Sequence, residues 1–100
     1  MDINLKKYGV AGLLVTVAGR IDLDNAGDFG ITIRDALDDI EELVLDLNEV
    51  TFISSFGLKV LLELYKQMKQ QNGTMKLKNV PENIYNSLNM VGFDKFLEIE

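Results

Sequence analysis

The chain switches repeatedly between two hydrophobic periods, and this switching restricts it to a sheet with helices packed against it. Residues 13–18 alternate with the period of two that is typical of a β-strand, whereas residues 56–70 repeat with the period of an α-helix. Read along the chain, such patterns predict the order β-β-α-β-α-β-α-β in one domain spanning residues 1–100. The predicted fold class is α/β, with a mixed sheet of four to five strands and helices packed against it.

Three predicted elements carry specific expectations. From Ala26 the apolar residues fall on one helical face that continues to Ile40. Residues 42–50, ELVLDLNEV, form a nearly unbroken apolar run that is typical of a central strand covered on both faces. A third helix is predicted to begin at Pro81 and to stop at Gly92, with its buried side formed by Ile84, Leu88 and Val91.

Composition excludes several classes of function. The chain has no cysteine and no histidine, which removes disulfides, thiolate metal sites and the usual general base. Its net charge of −6 argues against nucleic acid or an anionic membrane as the main partner. The first residues lack the layout of a signal peptide, and no apolar run has the length of a membrane span. A cytoplasmic protein without cofactor or metal is therefore expected.

The stretch TFISSFGLKVLLELYK, residues 51–66, places two serines where a strand pattern changes into a helix pattern. One serine at this position is explained by helix capping, because a hydroxyl can accept a hydrogen bond from an unpaired N–H of the first turn. A phosphate on such a serine would face the same N–H groups and the positive end of the helix dipole. Both interpretations of Ser54 and Ser55 stay open at this point.

Two apolar residues interrupt the polar side of the helix that follows the serines. A helical wheel places Phe56 and Val60 on the solvent side, which predicts a docking patch at the start of the helix. Alternatively, Phe56 folds back onto the preceding loop. Asp22, Asp24 and Asn25 are candidate N-caps of the first helix, and with Asp46 they are expected at the same end of the sheet.

Four segments in order resemble the STAS domain of bacterial anti-sigma factor antagonists. They are GRIDLDNAGDF at residues 19–29, LVLDLNEVTFISSFGLKVLL at residues 43–62, the NG turn followed by TMKLKNV, and MVGFDKFLEI near the end of the sequence. The resemblance covers almost the whole chain. It implies a non-enzymatic protein that binds an anti-sigma factor, itself a serine kinase, and thereby releases a sigma factor.

The resemblance also implies which residues act. The family's phosphorylated serine corresponds to Ser55, with Ser54 as the second candidate; phosphorylation by the kinase breaks the complex and a phosphatase restores it. Ser54 stands where the family usually has an aspartate, and Phe56 stands where it usually has a serine or threonine. The predicted partner-binding residues are Asp22, Asp24, Asn25, Ser54, Ser55, Phe56, Gly57, Lys59 and Val60.

Two other functions stay open from the sequence. One is a constitutive STAS adaptor subunit of a transport or signalling complex, which the unusual neighbours of Ser55 would fit. The other is nucleotide binding, although the chain lacks the G-x-x-x-x-G-K-[ST] loop and SSFGLK contains a single glycine.

Overall fold

The structure, a computed structural model, describes residues 1–100 and contains one five-stranded sheet with three helices. The strands lie in the order β1-β2-β3-β4-β5, with β1 antiparallel to β2 and all other neighbours parallel. This architecture confirms the predicted fold class and element order. The elements are β1 (Asp2–Tyr8), β2 (Gly12–Ile21), α1 (Ala26–Arg34), β3 (Glu42–Ile53), α2 (Ser55–Gln70), β4 (Thr74–Lys78), α3 (Glu82–Met90) and β5 (Glu98–Ile99).

All three helices pack on the same face of the sheet. On that face Leu13 of β2 is paired with Leu43 of β3, and Val15 with Leu45, and all four side chains are buried. One hydrophobic cluster joins this face to residues of every helix. The reason is topological: successive parallel strands are added in one direction, and right-handed crossovers then place each connecting helix on the same side.

The opposite face of the sheet is open to solvent, so the prediction that β3 is covered on both faces is wrong. Thr16 and Lys78 are exposed on this open face, and Lys76 is half-buried. Val44 is buried there without a helix above it, 8% exposed, and Leu14 lies beside it in register. The apolar run of β3 therefore reflects one helix-covered face plus a single buried valine on the other.

Tyr8 covers one end of the open face. Its ring lies over Gly12, where an added Cβ would meet the ring and displace it. The Tyr8 hydroxyl donates a hydrogen bond to the carboxylate of Glu42. Partial burial of the phenol, together with this hydrogen bond, raises the pKa of Tyr8 to about 12. The hydrogen bond joins the end of β1 to the start of β3 across Gly12 of β2.

The ends of two helices differ from the sequence expectations. Helix α1 ends at Arg34 rather than continuing to Ile40, although Leu37 and Ile40 remain buried in the turns that follow. Those turns include Asp39 in the left-handed region, at a φ of 64°. Apolar spacing alone could not show this end, because the buried residues after the helix continue to fill the same core.

Helix α3 begins at Glu82, with Pro81 as its N-cap rather than its first residue. Gly92 follows the helix at a φ of 80°, which confirms the predicted stop, since this left-handed conformation favours glycine. Ile84 and Leu88 are buried as predicted, but Val91 is 51% exposed. The helix ends before Val91 completes another turn, so its side chain is not directed at the core.

None of the three α-helices combines the length and the apolar character that a membrane-spanning helix needs.

Candidate functional site

The junction between β3 and α2 gives the two serines different environments. Ser54 is the N-cap of α2, in an extended conformation, and its hydroxyl oxygen accepts a hydrogen bond from the Gly57 N–H at 3.2 Å. The Ser54 N–H donates to the carbonyl oxygen of Ile21 at 2.8 Å. Ser54 is thus a capping residue that also ties the end of β2 to the start of α2.

Ser55 is the first residue of α2 and is exposed to solvent. Because Ser54 supplies the cap, the Ser55 hydroxyl is free of that role. The N–H groups of Ser55 and Phe56 have no carbonyl partner within the helix, as is usual in a first helical turn. An anionic group on Ser55 would therefore lie near unpaired N–H donors and the positive end of the helix dipole.

The side chain of Phe56 is 51% exposed, so half of an aromatic ring faces solvent beside Ser55. This exposure agrees with the predicted place of Phe56 on the solvent side of α2, and its role in docking stays a prediction. Phe52, at the end of β3, is 38% exposed, and the guanidinium of Arg20 lies 4.3 Å from the centre of its ring. Phe52 is not among the predicted partner-binding residues, although it flanks the two serines in the sequence as Phe56 does.

Val60 is buried, at 6% exposed, and the prediction that it belongs to an exposed patch is wrong. It packs against α1 at Gly30, where an added Cβ would lie 3.1 Å from the valine Cγ1. Gly57 is also buried, over Ile53 and Ile21. Val60 and Gly57 were both predicted to contact a partner, but both lie beneath the surface of the protein.

The loop between β2 and α1 is held by its own polar side chains. Asp22 Oδ1 accepts hydrogen bonds from the N–H groups of Asp24 and Asn25, at 3.0 and 3.2 Å. In return, Asn25 Oδ1 accepts from the Asp22 N–H at 2.8 Å, and its Nδ2 donates to the Arg20 carbonyl. Asn25 occupies the N-cap position of α1, but no side-chain cap bond is made. These residues shape the loop instead of capping the helix.

Two loops come together at one end of the sheet. Ile21 and Ile53 are register partners at the ends of the parallel strands β2 and β3, so the β2–α1 loop and the start of α2 are neighbours. Leu23, between the two loop aspartates, is 65% exposed. We call seven residues at this end the junction surface, all of them exposed or half-buried: Asp22, Leu23, Asp24, Asn25, Ser55, Phe56 and Lys59.

Asp46 does not belong to the junction surface. It lies in the middle of β3 on the open face of the sheet, where it pairs in register with Thr16 and Lys78. Its carboxylate accepts hydrogen bonds from the Asn48 N–H and the Asn79 side chain. The expectation that Asp46 sits at the same end as Asp22 is wrong, because β3 continues to Ile53.

Removing the Ser54 hydroxyl tests its capping role. We expect Ser54→Ala to lower the free energy of unfolding by about 1 kcal/mol, because the Gly57 N–H loses its acceptor. Urea unfolding followed by circular dichroism measures the change. Ser55→Ala is the matched control and should change stability by less than about 0.5 kcal/mol, since that side chain is exposed. Equal losses in both variants would contradict the assignment of Ser54 as the cap.

Comparison with known proteins identifies a family and several relatives. The family model for the STAS domain matches residues 2–100. The anti-sigma-B factor antagonist of Bacillus subtilis (strain 168) is 27% identical over 100 residues, which cover 99% of this chain and 92% of that protein. The anti-sigma F factor antagonist of Paenibacillus polymyxa is 29% identical over 89 residues, covering 87% and 76% of the two chains.

The fold matches solved structures over nearly all of its length. The anti-sigma factor antagonist SpoIIAA in its unphosphorylated form superposes with a TM-score of 0.80 at 13% identity, covering 99% of this chain and 87% of that one. SpoIIAA of Bacillus in its phosphorylated form gives a TM-score of 0.78 at 13% identity, covering 99% and 91%. At such low identity these likenesses establish the fold alone.

Proposed function

Because this chain belongs to the STAS domain family, we propose that it is an anti-sigma factor antagonist whose binding is switched off by phosphorylation of Ser55. In this proposal the unmodified protein binds a serine-kinase anti-sigma factor through the junction surface and so frees a sigma factor. The observation that carries the proposal is the exposed Ser55 at the start of α2, beside the half-exposed ring of Phe56. The role proposed is binding, without catalysis by this chain.

The different environments of the two serines support Ser55 as the phosphorylated residue. Ser54 is half-buried and its oxygen is held by the Gly57 N–H, so a kinase would have to break the cap to reach it. Ser55 is exposed, and its hydroxyl takes no part in capping the helix. Aspartate and serine are comparable N-caps, so serine at position 54 keeps the capping function of the family's usual aspartate while removing its charge.

The charges of the junction surface explain how a phosphate would act. A phosphoserine adds about −1.5 to −2 charges beside a loop that already carries Asp22 and Asp24. Lys59 follows Ser55 by four residues on the same helix, within reach of a phosphate on the same side. The unpaired N–H groups of the first turn and Lys59 would stabilise the modified chain. The modification would then change the docking surface rather than the fold.

The same surface describes the partner's binding site by its chemistry. A partner that receives the Phe56 ring needs an apolar pocket, and one that faces Asp22 and Asp24 needs cationic groups. A phosphate on Ser55 would bring a strongly hydrated charge to the edge of the partner's apolar pocket. Its desolvation cost would weaken the complex even where cations are present. A phosphatase that removes the phosphate would restore binding.

The proposal is tested by incubating the protein with its cognate serine-kinase anti-sigma factor and ATP. We expect mass spectrometry to locate one phosphate on Ser55, retained in Ser54→Ala and lost in Ser55→Ala. We also expect Ser55→Glu to bind the anti-sigma factor about tenfold more weakly than Ser55→Ala, because the carboxylate supplies part of the phosphate's charge. Isothermal titration calorimetry measures both affinities.

Two results would contradict the switch. The first is phosphorylation of Ser54 alone. The second is unchanged binding in Ser55→Glu together with an unmodified Ser55 after the kinase reaction. The second result, combined with retained binding of the unmodified protein, would instead identify a constitutive STAS adaptor that uses the same surface.

A further inference from the structure

The first strand is an exposed edge of the sheet. β1 is paired with β2 from Asp2 to Tyr8 and has no neighbour on its other side. Every residue of β1 except Ile3 is exposed, including Leu5 at 37%. The outer N–H and C=O groups of such a strand are unpaired and can accept another strand. This strand is therefore a ready site for adding a strand from a second molecule.

We propose that β1 pairs with β1 of a second copy of this chain, antiparallel, about a two-fold axis that passes at Asn4. Such an axis keeps the two helix-covered faces on the same side, so residues that face each other come from the same face of the sheet. With the axis at Asn4, Asp2 lies opposite Lys6 of the second copy, and Ile3 lies opposite Leu5. Symmetry makes each pair occur twice.

Charge complementarity selects this register over its neighbours. With the axis at Leu5, Ile3 would face the ammonium group of Lys7. With the axis at Lys6, two lysines would face each other directly, which is destabilising. Neither of these registers gives Asp2 a cationic partner, and an axis at Ile3 leaves half of the strand unpaired. The register centred on Asn4 is the one that joins opposite charges and apolar pairs together.

The two lysines of β1, Lys6 and Lys7, do not prevent this pairing. Edge lysines usually discourage strand addition, but in this register the charge of Lys6 is neutralised by the carboxylate of Asp2 in the second copy. Lys7 lies on the helix side of the sheet and is exposed, as is Leu5, so no helix occupies the space beside β1. One short strand from each molecule makes a small interface, and the dimer is expected to be weak and reversible.

Disulfide trapping tests both the dimer and its register, because the chain contains no cysteine of its own. In the proposed register the Cα atoms of the two Asn4 residues are about 4.5–5.5 Å apart, which suits a disulfide. We expect Asn4→Cys to form a disulfide-linked dimer under mild oxidation on a non-reducing gel. Leu5→Cys is the matched control: its two Cα atoms would be about 8 Å apart, so it should remain monomeric.

Charge variants in the Asn4→Cys protein test the pairing of Asp2 with Lys6. We expect Lys6→Glu to slow cross-linking about fivefold, and Asp2→Lys combined with Lys6→Glu to restore the rate. Lys7→Glu makes the same change in net charge without facing Asp2 and should leave the rate unchanged. Faster cross-linking of Leu5→Cys than of Asn4→Cys, equal slowing by Lys7→Glu and Lys6→Glu, or a purely monomeric Asn4→Cys protein would each overturn the proposal.

Discussion

Replacing Phe56 by alanine is expected to weaken binding of the anti-sigma factor about 30-fold, the equivalent of about 2 kcal/mol. The reason is that the ring is half exposed on the free protein and belongs to the junction surface, next to Ser55 in the first turn of α2. An aromatic side chain in that position supplies apolar area that a partner can bury. Titration calorimetry with the purified anti-sigma factor measures the loss.

The Phe56 variant needs a check that its fold is intact. Since only about half of its side chain is buried, Phe56→Ala should lower the free energy of unfolding by about 1 kcal/mol and leave the protein folded. Val10→Ala is a suitable binding control, because Val10 is fully exposed in the turn before β2, at the opposite end of the sheet. Unchanged affinity in Phe56→Ala would show that the partner binds elsewhere, whatever the state of Ser55.

Replacing Gly57 by valine is expected to lower the free energy of unfolding by about 3 kcal/mol. A Cβ at this position would lie 2.7 Å from Cγ1 of Ile53 and 2.8 Å from Cγ2 of Ile21, closer than two carbon atoms can approach. The two isoleucines end the strands β3 and β2, so the added side chain would push α2 away from the sheet. Urea unfolding followed by circular dichroism measures the loss.

A second glycine provides the control for Gly57. Gly27 lies in the exposed first half of α1, and a Cβ there would meet nothing within 4 Å. Gly27→Ala should therefore stabilise the protein by about 0.5–1 kcal/mol, because alanine loses less backbone freedom on folding. If Gly57→Ala were to stabilise the protein equally, the close approach of α2 to the strand ends would not limit this position.

The sequence predicted the features that depend on local periodicity. The strand at residues 13–18, the helix after Ser55 and the stop at Gly92 each follow from a pattern within a single element, and all three are present in the structure. The α/β fold and its mixed sheet followed from the order of these elements. The assignment of one serine as a helix cap also held, because capping needs a hydroxyl at one defined position.

The failures came from contacts between elements. A wheel drawn on α2 alone exposed Val60, but the absence of a side chain at Gly30 lets α1 approach and cover it. The apolar run in β3 gave no information on which face the helices occupy, since that depends on the handedness of the crossovers. Asp46 was misplaced because it lies within the strand, followed by seven further residues of β3 that end at Ile53.

The sequential order of the strands has a consequence for how the chain folds. Each strand pairs with the strand before it, so every pairing closes a short segment: the β1–β2 turn or one of three crossovers, residues 22–41, 54–73 and 79–97. These crossovers are nearly equal in length, and the entropy lost in closing a loop rises slowly with its length. The sheet can therefore grow by repeated additions of similar cost, without an early pairing between distant parts of the chain. Topologies of this kind reach the native state faster than sheets whose neighbouring strands are far apart in sequence.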